Sequence, residues 1–156
     1  MNRRPWLILQ DHASNAGTRR RTDQIPYIFS RHFYPLPGEL DADDRSEETA
    51  CAIELDGIGE VQHWVRNLER QAESSFWLPT STDRFYPDFV AQLKDGRIFV
   101  VEYKGAHLIG APDAREKNDI GKVWAAASGG RCVFLMATDA VTAGMPVGAQ
   151  LRRAIA

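Results

Sequence analysis

The chain has 156 residues, 44% of them hydrophobic, which is enough to bury one sizeable core and too little length for two well-formed domains. Its 19 basic and 21 acidic side chains leave a formal net charge of −2, which excludes a uniformly cationic nucleic-acid binder. No apolar run of membrane length and no signal peptide is visible, and Cys51 and Cys132 fall in apolar stretches. A cytoplasmic protein without a membrane partner is therefore expected, with reduced buried thiols rather than a disulfide or a zinc pair.

Residues 1–43 mix Trp6-Leu7-Ile8-Leu9, the basic run Arg19-Arg20-Arg21, the aromatic stretch Tyr27-Ile28-Phe29 and His32-Phe33-Tyr34-Pro35, and turn acidic from Glu39 to Asp44. Four prolines argue against a long helix, and the apolar content argues against a disordered tail. This extension is expected to supply an edge strand or hairpin that packs on the following domain or links it to a preceding one. The arginine run reads as a mobile basic loop in preference to a DNA contact. No internal repeat is present.

From residue 44 a second unit begins and runs to 156. Asp44-Arg45-Ser46-Glu47 combines side-chain acceptors with a following glutamate, the signature of a helix start, and Glu48 to Leu55 are good helix formers that Asp56-Gly57 stops. Cys51, Ala52 and Leu55 follow Glu48 at i+3, i+4 and i+7, so Glu48 faces inward while Glu47 is expected to be solvated. An inward carboxylate is costly unless it meets an arginine or a metal, and both readings stay open. Glu60 to Leu68 reads as a strand, with Val61, His63 and Val65 on one face and Trp64 and Arg66 on the other. Phe76-Trp77-Leu78-Pro79 is a short extended segment ended by its proline.

The densest chemistry lies in the next hairpin. Lys94-Asp95-Gly96-Arg97 separates two arms rich in β-formers, Phe85 to Leu93 and Ile98 to Tyr103, and Asp-Gly is a strong hairpin signal. A two-residue loop would place Asp88 opposite Tyr103. A three-residue loop, with Gly96 left-handed as a bulge, pairs Leu93 with Arg97 and places Asp88 opposite Glu102. We take the second register, because a one-residue slip would turn Asp88 away from Glu102 and Lys104. The two carboxylates would then have Cβ atoms about 5 Å apart, a like-charge pairing that destabilises a sheet unless compensated. Mg²⁺ compensates it well, since it binds hard oxygens and takes one or two protein carboxylates, with Lys104 beside the same water. The alternative is a salt-bridge ladder in which Lys104 neutralises both acids without a metal.

Gly105 to Pro112 is a loop, and Asp113 caps a helix to Ala127 whose apolar stripe is Ile120, Val123, Trp124 and Ala127. Arg115, Lys117 and Lys122 on that helix either touch phosphate or form a solvated face. Gly129-Gly130 ends it, and Cys132 to Met136 is a continuous apolar run expected to be a strand buried on both sides. Pro146 to Ala154 is expected to form a last short helix. The histidines at 12, 32, 63 and 107 lack metal-ligand spacing, and His107 reads as a loop residue.

Glu48 on a helix, Pro87-Asp88 on one strand and Glu102-Tyr103-Lys104 on the next resemble the PD-(D/E)XK nuclease motif. The longer ordered set Ala52 to Asp56, Trp64 to Asn67, Phe76 to Pro79, Phe85 to Phe89, Val101 to Gly105 and Glu116-Lys117 leading to Gly121 and Trp124 resembles more narrowly the C-terminal endonuclease region of type III restriction subunits. The resemblance implies an α/β restriction-endonuclease-like αβββαβ core, with a mixed central sheet flanked by helices. It implies Asp88 and Glu102 as metal ligands with the carbonyl of Tyr103, Lys104 as the residue that orients or deprotonates water, and Glu48 as an outer or second-metal carboxylate. The implied cofactor is Mg²⁺, with Mn²⁺ as a substitute. The departure is the missing motor: no Gly-x-x-x-x-Gly-Lys-Ser/Thr loop occurs, so ATP hydrolysis is not expected and a separate helicase or modification subunit becomes the implied partner.

The expectation is therefore a Mg²⁺-dependent DNA endonuclease domain of the phage-defence type, leaving 5′-phosphate ends and acting alone or as a homodimer. A nuclease-like scaffold that binds nucleic acid or a partner without cutting is the second reading. A sugar or nucleotide hydrolase using the carboxylate pair is the third, and it gives Lys104 no role.

Overall fold

The computed structural model describes residues 27–34, 40 and 47–156. The arginine run, Trp6 to Leu9 and the helix-start residues Asp44 to Ser46 lie outside the described residues. Helix α1 (Glu47–Asp56) leads into strand β1 (Val61–Arg66), the short strands β2 (Leu78–Pro79) and β3 (Arg84–Phe85), and the hairpin β4 (Phe89–Leu93) and β5 (Ile98–Tyr103). Helix α2 (Pro112–Ala127), strand β6 (Cys132–Ala137), the single turn α3 (Ala140–Ala143) and helix α4 (Val147–Ile155) follow.

Four strands form a mixed sheet in the order β1-β4-β5-β6, antiparallel except for the β5–β6 pair that α2 connects. The protein is thus an α/β fold with helices packed on both faces of a four-stranded sheet. Cys51, Ala52 and Leu55 of α1 and Leu151 and Ile155 of α4 cover one face, packing with Trp64, Phe89, Phe99 and Val101. Ile120 and Trp124 of α2 cover the other with Val65, Val90, Val100, Phe134 and the β2–β3 pair. The alternation of period 2 along β5, fully buried from Ile98 to Glu102, feeds both cores at once.

The three-residue turn is present. Leu93 N–H donates to the Arg97 carbonyl at 2.9 Å, Gly96 N–H donates to the Leu93 carbonyl at 3.0 Å, and Gly96 adopts φ 89°. Phe89 pairs with Val101 and Gln92 with Ile98, so the register continues to Asp88 opposite Glu102.

Several expectations require correction. The arm expected from Phe85 to Leu93 is broken: Arg84-Phe85 pairs with Leu78-Pro79 in a separate small sheet, and Pro87, which has no N–H to give a ladder, separates it from β4. Val61 does not share the face of Val65, because a bulge between Val61 and His63 shifts the register and turns Val61 to the side of Trp64. Asp113 is not the N-cap of α2. Ala111 is, and Asp113 pairs instead with Lys117 one turn on at 2.8 Å. Val123 is 69% exposed and Ala127 is exposed as well, so the packed face of α2 runs through the buried Ala114 and Gly121 with the half-buried Ile120 and Trp124. Strand β6 is an edge strand, and Cys132 to Met136 are half-buried rather than buried on both sides.

Gly121 explains the rotated stripe. A Cβ at this position would overlap the Phe134 ring, so α2 approaches β6 through a residue with no side chain to reveal it in a hydrophobicity pattern. Gly121→Ala is expected to destabilise the fold by about 1–3 kcal/mol in urea unfolding, despite the better helix propensity of alanine.

Part of the amino-terminal extension does pack on the core. Phe33 N–H donates to the Trp64 carbonyl at 2.9 Å and Trp64 N–H to the Arg31 carbonyl at 3.0 Å, so residues 31–33 run parallel to β1 and cover that edge. Among the described residues no helix is long and apolar enough to cross a membrane.

Candidate functional site

The site forms where β4 and β5 end. Asn67, 2% exposed at the end of β1, sets the chain entering β4: its Nδ2 donates to the carbonyls of Phe76 at 2.9 Å and Pro87 at 2.7 Å, and its Oδ1 accepts from Phe76 N–H at 2.9 Å. Asn67 N–H also donates to the Asp88 carbonyl at 2.8 Å, so one buried amide fixes the backbone on both sides of Pro87. Asn67→Ala strands these buried partners. It is expected to lower stability by about 3 kcal/mol in urea unfolding and to weaken any activity that depends on the placement of Asp88.

Asp88 and Glu102 then meet directly. Asp88 N–H donates to Glu102 Oε2 at 3.2 Å, and Asp88 Oδ2 accepts from Tyr103 N–H at 2.7 Å. Lys104 Nζ lies 2.7 Å from Glu102 Oε1. In a strand the N–H and carbonyl of one residue face the same edge, so the Tyr103 carbonyl is directed to the Asp88 side. The Tyr103 phenol, on the other face of the sheet, is hydrogen-bonded to Glu47 and pushed up to about 12 by burial and that carboxylate. Glu47 is thus exposed, as expected, yet engaged.

Glu102 is 3% exposed, and burial together with the Asp88 charge pushes its carboxyl up to about 8 against the opposing pull of Lys104 and Lys117. Burial disfavours the Lys104 ammonium, but the Glu102 and Asp88 charges outweigh it and raise that group. Two acids and a lysine are therefore held at the edge of the core, where each charge depends on its neighbours.

Arg66 was not among the expected site residues and links the remaining acid to this group. Its Nη1 lies 3.2 Å from Asp88 Oδ1 and 2.8 Å from the Asp88 carbonyl, and its Nη2 lies 2.6 Å from Glu48 Oε1. Glu48 is half-buried on the same helix as Cys51 and Leu55, and Arg66 supplies the arginine partner that the sequence left open beside a metal. The Arg66 guanidinium thus bridges Glu48 and Asp88. The sequence offered one signal, an arginine at the end of a strand beside a stripe that needed a counter-charge.

Of the three basic residues on α2, the structure brings Lys117 to the site. It lies 5.6 Å from the centroid of the Phe85 ring and acts electrostatically on Glu102. Arg115 and Lys122 are exposed and, at about 100° per residue, lie far round the helix from Lys117. His107 is an exposed loop residue near Gly105.

The donor set suits a hard divalent cation bound by two carboxylates. Asp88 and Glu102 offer carboxylate oxygens at the ends of adjacent strands, with the Asp88 N–H donating to Glu102 Oε2. Among the described residues no group of three or more His, Cys, Asp or Glu is placed to hold a metal, so any such site rests on this pair and backbone oxygen. Cys51 is buried, Cys132 is half-buried, and both are free thiols. No protein-family model, curated protein or solved structure matches the chain.

Proposed function

We propose that the protein is a Mg²⁺-dependent DNA endonuclease domain of restriction-endonuclease-like fold, similar to the nuclease module of type III restriction subunits without its motor. The observation that carries this reading is the convergence of Asp88, Glu102 and Lys104 at one sheet end, in the one register of two that assembles them. The helix, three sheet strands, helix, strand order of α1, β1, β4, β5, α2 and β6 supports the fold assignment, with β2–β3 as an insertion.

In this reading Asp88, Glu102 and the Tyr103 carbonyl would hold Mg²⁺, which when bound would supply Lewis-acid polarisation of the scissile phosphate. Lys104 orients the attacking water for in-line displacement and places a positive charge beside the phosphate. A P–O bond forms to the water, the P–O3′ bond breaks, and the 5′-phosphate remains on the product. Glu48 holds Arg66 against Asp88, and Lys117 faces the incoming phosphates. DNA is the substrate, with a separate translocase or modification subunit, or a second copy of this chain, as partner.

A non-cutting scaffold is the second reading, favoured by the ion pairs to Arg66 and Lys104 that already neutralise the acids. Calorimetric titration separates the two. Mg²⁺ or Mn²⁺ added to the wild-type protein is expected to fill one site that Asp88→Ala abolishes. Absence of binding, or equal binding by the variant, contradicts the nuclease reading.

A further inference from the structure

A cavity of about 290 Å³ is walled by Arg70, Gln71, Trp77, Asp83, Arg84 and Tyr86. Its volume is close to the lower end of the roughly 300–1,000 Å³ of small-molecule sites, which suits a single nucleotide and not a duplex groove. Arg70 pairs with Asp83 at 3.4 Å, so Arg84 is left as the net charge of the walls. The exposed Arg84 guanidinium lies over the Trp77 ring, 4.4 Å from its centroid. A cation stacked on an indole offers its outer face to a second planar group, and Tyr86 adds an aromatic wall.

The cavity is tied to Asp88 by covalent chain and by the Asn67 clamp. Tyr86 is two residues before Asp88, Trp77 follows Phe76, and Asn67 bonds both Phe76 and Pro87. A nucleotide seated in the cavity would therefore be held in a fixed relation to the carboxylate pair.

We infer that this cavity is a subsite for one unpaired nucleotide of a single-stranded nucleic acid, its base stacked on the Arg84–Trp77 pair and its phosphate drawn by Arg84. The inference rests on the nuclease reading and names what that site takes beside the scissile bond: a strand whose bases are free to stack, such as one opened by a partner or frayed at an end.

The test is fluorescence anisotropy of a labelled oligothymidylate with the full chain in EDTA, where cutting plays no part. Wild-type protein is expected to bind, and Arg84→Ala and Trp77→Ala each to weaken binding about tenfold or more. Trp77→Phe is expected to retain most of the affinity. Lys94→Ala, at the turn end of the β4–β5 hairpin, is expected to leave it unchanged. Loss of one phosphate contact should also lower the salt slope of the Arg84→Ala variant by about 0.7. No binding by the wild type, or equal binding by Arg84→Ala and Trp77→Ala, overturns the subsite. Failure of the nuclease reading registers separately, as absence of Mg²⁺-dependent cutting.

Discussion

Lys104→Ala is expected to slow Mg²⁺-dependent DNA cleavage by about 10²–10⁴-fold while leaving metal binding in place. The ammonium is 2.7 Å from Glu102 and its side chain is 20% exposed, so it sits at the boundary between the buried carboxylate and solvent, where the proposed mechanism would hold its water. Removing it takes away a charge felt by the water and phosphate but neither of the two carboxylates. Single-turnover cleavage with calorimetry on the same samples separates the effects. Lost metal binding would make Lys104 a structural partner of Glu102, and an unchanged rate would remove it from the mechanism. Lys104→Arg should not restore full activity, because a planar fork does not replace a compact ammonium at 2.7 Å.

The second large effect lies outside the site. Asp56 is 1% exposed at the end of α1, and its carboxylate accepts from the Trp64 indole at 2.8 Å, Ser30 N–H at 2.9 Å, the Ser30 hydroxyl at 3.0 Å and Arg31 N–H at 2.8 Å. Asp56→Ala removes the acceptor for all four and is expected to cost about 3 kcal/mol or more, read by urea unfolding at neutral pH. Burial raises this carboxyl, but the hydrogen bonds from Trp64, Ser30 and Arg31 outweigh it and hold the group below its ordinary 3.8. A depressed folded-state value means stability that is fully present above the ordinary value and is lost as pH falls through the folded one. The wild-type advantage over Asp56→Asn should therefore be constant near neutrality and shrink in acid below that ordinary value. A pH-independent difference would mean that Asp56 acts by shape alone.

The sequence made the hairpin legible because Asp-Gly allows only two turns and the carboxylates discriminate between them. Glu48 was readable as inward from helix periodicity alone. Asn67 was not, and Arg66 only in that the Glu48 stripe called for some counter-charge, since nothing local distinguishes an arginine or asparagine that ends in solvent from one that folds back on a neighbouring strand. The bulge in β1 inserts a residue without any glycine to mark it, so strict alternation misplaced Val61. Gly121 hid the buried stripe of α2 by contributing closeness instead of a side chain. Pro87 was visible, but its effect on pairing depended on Asn67, 20 residues earlier in the chain and outside any pattern in the arm itself. The subdivision of the chain near residue 44 falls where Asp44 to Ser46 lie outside the described residues, while residues 27–34 pack on the core through Asp56 and β1.

The central claim is that Asp88, Glu102 and Lys104 form a metal-dependent cutting centre. Its most direct test is incubation of supercoiled plasmid with purified wild-type protein in Mg²⁺, with EDTA and Asp88→Ala as controls. Nicked or linear DNA from the wild type, absent in both controls, is the predicted result. Intact plasmid from a folded, Mg²⁺-saturated wild-type protein, or cutting that persists in Asp88→Ala, would contradict it.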